Sequence, residues 1–183
     1  MRDAQLPAAV NAELAALSNG LGTDIALASA QVERQNPAAG ALVDIANLGM
    51  SMRDAAGKRS TTLSAWLGGH TLSPSELNTL LIRTGQVQQA WINTQNRARE
   101  LGEPLQLTAA LDSVRSHFFD QNEPRYGTLV DAALHGTPSP MSFAEYRAWT
   151  PAALLTIQPI RIAAISDAVE RGNGCSVPPA PRC

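Results

Sequence analysis

Three basic side chains lie close together in residues 52–60, and they are the strongest candidates for chemistry in the chain: Arg53, Lys58 and Arg59. Arg59 occupies a position where the three- and four-residue spacing of the surrounding apolar side chains would otherwise place an apolar residue. A guanidinium there must pair with a carboxylate, extend its head to solvent, or face an anionic ligand, because burying it unpaired is costly. The sequence leaves these three alternatives open.

Two further arginines, Arg83 and Arg161, lie on later predicted helices and could converge with Arg59 on one ligand site. Arg53 and Arg59 are separated by about 120° around a helix of 3.6 residues per turn, so one helix cannot direct both at one small ligand. A shared site needs a partner helix, and the second copy in a two-fold dimer is the economical source. We therefore expect a homodimer with Arg53 and Arg59 at its interface.

Two tryptophans complete the set of candidate ligand-binding residues. Trp66 and Trp91 lie on the apolar faces of two neighbouring predicted helices, in a chain with only 4% aromatic residues. They either pack in the core or form a stacking wall for a small ligand.

No pattern in the chain predicts catalysis or metal binding. The motifs Cys-x-x-Cys, His-Glu-x-x-His and Gly-x-Ser-x-Gly and a glycine-rich phosphate loop are all missing from the sequence. The histidines are His70, His117 and His135, and only His117 has an acidic residue, Asp120, one helical turn away. Such a pair is common by chance. We therefore expect neither an enzyme nor a cofactor or metal site.

Composition favours helices and disfavours nucleic-acid binding. Alanine and leucine greatly outnumber valine and isoleucine, and the former pair loses little on entering a helix. The net charge of −2 does not fit a nucleic-acid partner, which requires a basic face. The chain contains no uninterrupted apolar run of about 18 residues, so no segment is predicted to span a bilayer.

Periodicity and capping signals predict an all-α fold, an elongated antiparallel bundle of four to five helices. Bends are expected at Pro124 and at Pro159, and Thr150–Pro151 is expected either to bend the helix or to restart it. The predicted domain covers residues 1–172, and residues 173–183, with Cys175 and Cys183, form a flexible proline-rich tail or linker. The predicted helices cover about residues 7–35, 37–67, 74–102, 104–134 and 142–171.

The order of several motifs between residues 36 and 171 resembles a known family. Residues 52–60, the Trp66-Leu67-Gly68-Gly69 turn, the Ser73-Pro74 cap and the segment 142–146 are similar to those of helical extracytoplasmic sensor domains of bacterial chemoreceptors, sensor kinases and diguanylate cyclases. The resemblance implies a periplasmic domain of an inner-membrane protein. In the nitrate-sensing branch, an arginine-rich helical segment binds the anion, which implies that role for Arg53 and Arg59.

We therefore predict a ligand-sensing domain that binds a small molecule or anion and passes a helix shift to an output domain outside this chain. The candidate ligand residues are the ones named above: Arg53, Arg59, Arg83, Trp66, Trp91 and Arg161. The alternative is a non-enzymatic helical scaffold that binds a protein partner. A sensor predicts a basic cluster and both chain ends at one pole, whereas a scaffold predicts an exposed apolar stripe on one helix.

Overall fold

The computed structural model describes residues 27, 30–102 and 104–174 of the 183-residue chain. Its elements are all helical and no strand occurs among these residues, which confirms the predicted all-α bundle. Of the predicted first helix, only residue 27 and residues 30–35 are described and helical, and residues 175–183 of the predicted tail lie outside the described part. The elements in chain order are α1 (Pro37–Leu67), α2 (Pro74–Glu100), α3 (Leu105–Val114), a π-helical segment (Arg115–Asn122), α4 (Glu123–His135), α5 (Phe143–Leu155) and α6 (Pro159–Gly174).

Capping residues set the bounds of the helices. The Asn36 side chain accepts a hydrogen bond from the Ala39 backbone N–H at 3.1 Å, and Pro37 follows at the first helical position, so α1 begins where predicted. The two predicted capping boxes, Ser73 with Glu76 and Ser142 with Glu145, both form at the starts of α2 and α5. Each of them satisfies backbone N–H groups that a helix start leaves without partners.

The region around Pro124 is a continuous helical rod that contains a π-helical segment, not simply a kinked α-helix. The Glu123 backbone N–H bonds to the carbonyl of Phe118, five residues back, and α4 then begins with Pro124 in its first turn. Proline has no N–H to donate to the carbonyl four residues back, so the wider π turn falls beside the residue that could not continue the α-helical ladder.

The last rod is interrupted at Pro159, as predicted. The backbone N–H groups of residues 156–158 bond three residues back, at 3.1–3.4 Å, and Pro159 opens α6 as its first residue. The alternative expectation of a restart at Thr150–Pro151 is wrong, because α5 runs through Pro151. Pro151 is exposed and lies nine residues into the 13-residue helix, where its neighbours hold the helix together.

Three contacts show that neighbouring rods alternate in direction. Arg97, near the end of α2, pairs with Asp44 near the start of α1 at 3.3 Å. Ile160, at the start of α6, lies against Gly49 in the first half of α1. Gln106, at the start of α3, bonds to Glu170 near the end of α6 at 3.3 Å. The start of α1 and the end of α6 therefore lie at the same pole of the bundle.

An aromatic cluster fills the middle of the bundle. The rings follow one another with centroid separations of 4.6–6.3 Å, and they come from α2, the π segment, α4 and α5. In order, they are Trp91, Phe119, Phe118, Tyr126, Trp149 and Tyr146. Aliphatic side chains, mostly alanine and leucine with some isoleucine, valine and methionine, pack the rest of the core.

The last rod combines length with an apolar composition. By length and composition, the stretch Phe143–Arg171 could cross a membrane, although 39% of its most apolar window is buried inside the bundle. A core helix of a globular bundle has the same composition, so this property alone decides nothing about a membrane.

Candidate anion-binding site

Arg59 is a buried arginine whose two terminal nitrogens are paired, while its Nε atom has no hydrogen-bond partner. Its two terminal nitrogens donate to the two carboxylate oxygens of Glu123 at 2.6 and 2.7 Å, and its guanidinium carbon lies 4.2 Å from the ring centroid of Tyr126. The Arg59 side chain is 0% exposed and that of Glu123 is 11% exposed. Of the three alternatives left open by the sequence, the carboxylate pair is the one that forms. Because both terminal nitrogens are occupied, the geometry argues against Arg59 as a ligand residue.

Hydrogen bonds among hydroxyl groups continue this polar core toward α5. Ser60 Oγ donates to the Ala56 carbonyl at 2.8 Å and lies 3.1 Å from the Tyr126 hydroxyl, while the Tyr146 hydroxyl donates to the Ser60 carbonyl at 3.0 Å. Burial raises the pKa of the Tyr146 phenol to about 12. These hydroxyl groups find their hydrogen-bond partners within the cluster. They therefore connect α1, α4 and α5 and leave no free hydroxyl donor for a ligand.

Arg53 and Arg161 come together on a different face of α1. Both line a cleft of about 210 Å³ between the first half of α1 and the junction of α5 with α6. We call it the arginine cleft. Its lining residues are Gly49, Met50, Arg53, Ile157, Gln158, Arg161 and Ile162. Arg161 therefore lies beside Arg53 and not beside Arg59, the expected partner, and both belong to one chain, so a site for these two residues needs no second copy.

The arginine cleft carries positive charge that nothing in the described part of the chain neutralises. Neither Arg53 nor Arg161 makes an ion pair or a hydrogen bond there, and the buried Arg53 Nε atom has no hydrogen-bond partner. The cleft lining contains two guanidiniums and one amide, Gln158, and no carboxylate. Such a set of donors is suited to an anion, because an arginine fork binds carboxylates and other oxyanions.

Gly49 and the helix break at Pro159 create the cleft. A side chain at position 49 would meet Ile160 Cγ2 at 3.1 Å and the Arg161 backbone nitrogen at 3.7 Å, so glycine permits the close approach of α6 to α1. The break at residues 156–158 places Ile157 and Gln158 beside this contact, one helical turn before Arg161. These positions follow from the small residue on one helix and the proline on the other.

The remaining candidate residues do not join this site. Arg83 bonds to Gln86 at 2.8 Å on the surface of α2 and lines a separate groove between α1 and α2. Trp91 stacks on Phe119 with a centroid separation of 4.7 Å in the aromatic cluster, and Trp66 packs, half-buried, against the core. The two tryptophans thus do not form one wall, and their positions fit the core-packing alternative.

Sequence reasoning missed the apolar and amide residues of the cleft and the partner of Arg59. Met50, Ile157, Gln158 and Ile162 carry no chemical motif, and only their nearness to the basic segment or to Pro159 could have pointed to them. Glu123 is 64 residues away from Arg59, and nothing in the local pattern links the two.

Among the described residues, no group of three or more histidine, cysteine or acidic side chains could hold a metal ion. His117 bonds through Nδ1 to the Ser113 carbonyl at 2.9 Å and is exposed, as expected for a residue of the helix surface.

Comparison of the chain with known protein families, curated proteins and solved structures gives no match. The function of the chain is therefore inferred from the geometry of the arginine cleft and from the sequence motifs.

Proposed function

We propose that this chain is the ligand-sensing, signal-input part of a bacterial transmembrane receptor, and that a small anion binds in the arginine cleft. The observation that carries the proposal is the pair of guanidiniums, Arg53 and Arg161, that share one cleft without a carboxylate partner. An anion between them would pair with Arg53, whose Nε atom has no hydrogen-bond partner, and with the exposed Arg161 side chain.

The topology supports an input role. The start of α1 and the end of α6 lie at the same pole, as required of a domain whose two ends continue toward one membrane surface. The cleft contacts α1 and α6 together, so an anion that tightens it changes the position of one relative to the other. In this proposal the domain is periplasmic, its parent protein is anchored in the inner membrane, and the output domain follows α6.

The proposed partners are a small ligand and a second copy of the chain, with no nucleic acid. The outer face of α6 carries β-branched side chains outside the cleft that are 41% and 55% exposed, at Ile165 and Val169. An apolar strip of this kind fits a homodimer interface. Sedimentation equilibrium tests this: Ile165→Glu should dissociate the dimer and Leu81→Glu on α2 should not. A monomeric wild type would remove the dimer from the proposal.

The same apolar strip favours the second candidate function, a scaffold that binds a protein partner through α6. The scaffold does not require the two unpaired arginines, which is why we place it second. Binding of anions separates the two functions, because a scaffold has no reason to bind them at this cleft.

The decisive experiment is a thermal-shift titration with nitrate, sulfate, phosphate, formate and acetate. We expect at least one anion to raise the Tm of the wild type with saturation, because a ligand that binds only the folded state stabilises it. Arg53→Met and Arg161→Met should each abolish the shift, and the surface variant Arg83→Met should retain it. Equal shifts in all four proteins would contradict the proposal, since the effect would then be independent of the cleft.

A further inference from the structure

We infer that the ligand of the arginine cleft is a small aliphatic monocarboxylate, with its carboxylate at Arg53 and Arg161 and its alkyl chain against Met50, Ile157 and Ile162. This inference depends on the proposed anion site and names the chemistry of its ligand. Three properties of the cleft support the choice of a monocarboxylate: its volume, the sign of every charge in it, and its apolar walls.

The volume limits the ligand to a few non-hydrogen atoms. The cleft holds about 210 Å³, whereas pockets for drug-sized ligands have volumes of about 300–1,000 Å³. A carboxylate with an alkyl chain of about three to five carbons meets this limit.

The charges exclude two common classes of carboxylate. No acidic residue lines the cleft, so the ammonium of an amino acid would lie beside two guanidiniums without a counter-charge. The second carboxylate of a dicarboxylate would lie beside the exposed Met50 and Ile162 side chains, where the cleft offers it no donor and it would cover no apolar surface. Since the first carboxylate already occupies the arginines, one negative charge with an apolar tail is the best match.

The apolar walls distinguish a carboxylate with an alkyl chain from an inorganic oxyanion. Ile157 is buried, whereas Met50 and Ile162 are exposed at the rim, where an alkyl chain would cover them. Nitrate or sulfate satisfies the guanidiniums but leaves these side chains in contact with water. Each buried methylene is worth roughly 0.8 kcal/mol, which corresponds to about a fourfold gain in affinity.

The test is isothermal titration calorimetry of the whole chain with formate, propionate, butyrate and valerate. We expect the affinity to rise about two- to fourfold for each added methylene up to valerate. Two four-carbon probes serve as matched controls for charge: 2-aminobutyrate and succinate should each bind at least tenfold more weakly than butyrate. Sulfate and nitrate should bind no more tightly than formate.

Two variants assign the binding energy to the two parts of the cleft. Arg161→Met should abolish binding of every anion. Ile162→Asn should reduce the affinity for valerate about tenfold and leave that for formate unchanged, and Ile82→Asn, at an exposed position of α2 outside the cleft, should change neither.

The outcomes separate this inference from the proposed function. If anions bind with dependence on Arg161 but the affinity does not change with chain length, the anion site stands and the monocarboxylate inference is wrong. Tighter binding of succinate or 2-aminobutyrate than of butyrate also overturns it. If no anion binds at all, both the inference and the proposed site are wrong.

Discussion

Arg59 and Glu123 form a two-bond ion pair inside the bundle, with N–O distances of 2.6 and 2.7 Å between residues 64 positions apart in the chain. The pair joins α1 to the first residue of α4, directly after the π segment. Arg53, less than two turns earlier on α1, has no such partner among the described residues. The basic segment thus contains one arginine with a carboxylate partner inside the fold and one without an ion-pair partner among the described residues.

Removing one partner of the buried pair should strongly destabilise the protein. Glu123→Ala leaves the fully buried Arg59 guanidinium without its counter-charge, and we expect a loss of about 3–5 kcal/mol in the free energy of unfolding, measured by urea denaturation. The exposed-surface control Arg115→Ala should change it by less than about 0.5 kcal/mol. A loss below about 1 kcal/mol for Glu123→Ala would mean that Arg59 reaches water in the folded protein.

Two glycines of α1 should respond in opposite directions to the same substitution. A methyl group at Gly49 would meet Ile160 Cγ2 at 3.1 Å, and Ile160 is fully buried, so Gly49→Ala should cost about 1–3 kcal/mol. Nothing lies within 4 Å of a methyl group at Gly57, so Gly57→Ala should add about 0.5–1 kcal/mol through helix propensity alone. Urea denaturation of the two variants under one condition measures the difference. Equal effects would show that α6 does not pack closely against Gly49.

Local signals in the sequence predicted most of the helices. Asn36-Pro37, the two capping boxes and Pro159 fix helix starts through hydrogen bonds made within a few residues, and sequence reasoning can use such signals directly. The π segment could not be predicted this way. Pro124 accounts for the position of the π segment once the structure is known. The same proline is equally compatible with a simple kink in an α-helix, so the sequence does not distinguish the two.

The candidate site was predictable in part. Arg53 and Arg161 were both identified from their residue type on helical segments, and the structure brings them to one cleft. The pairing of Arg59 depends on Glu123, a contact over a large sequence separation, and periodicity contains no information about it. The expected location of Arg53 and Arg59 in one shared site is not what the structure shows, because they point to different neighbours of α1.

The capping box of α2 should make stability depend on pH in acid. The backbone N–H and the hydroxyl of Ser73 donate to Glu76 at 2.8 and 2.7 Å, and these bonds, with a smaller contribution from His70, lower the pKa of Glu76 from 4.5 to about 2. A lowered pKa in the folded state gives stability that is present above pH 4.5 and is lost as the pH falls from 4.5 to 2.

We therefore expect Glu76→Gln to be less stable than the wild type at pH 7, and the difference to shrink between pH 4.5 and pH 2 in urea denaturation. Asp120→Asn is the control, because the Asp120 carboxylate is exposed and makes no hydrogen bond or ion pair among the described residues. If the Glu76→Gln difference stays constant down to pH 2, the carboxylate does not accept these bonds in solution.

Arg53 and Arg59 should also give opposite results when each is replaced by methionine, which keeps the length of the side chain and removes its charge. Arg59→Met leaves Glu123 without a partner and should lower the free energy of unfolding by about 3 kcal/mol. Arg53→Met removes a buried Nε atom that lacks a partner and reduces repulsion with Arg161, and it should raise the free energy of unfolding by about 1 kcal/mol. Both values refer to urea denaturation in a buffer of low anion concentration.

The gain at Arg53 should disappear when the wild type is saturated with a cleft-binding anion, because the ligand then supplies the missing bonds to the wild type and cannot do so for the variant. A residue kept at a cost to stability in the free protein is expected where function requires it. If Arg53→Met destabilises the protein as much as Arg59→Met does, Arg53 has a structural partner in solution and the arginine cleft is not a ligand site.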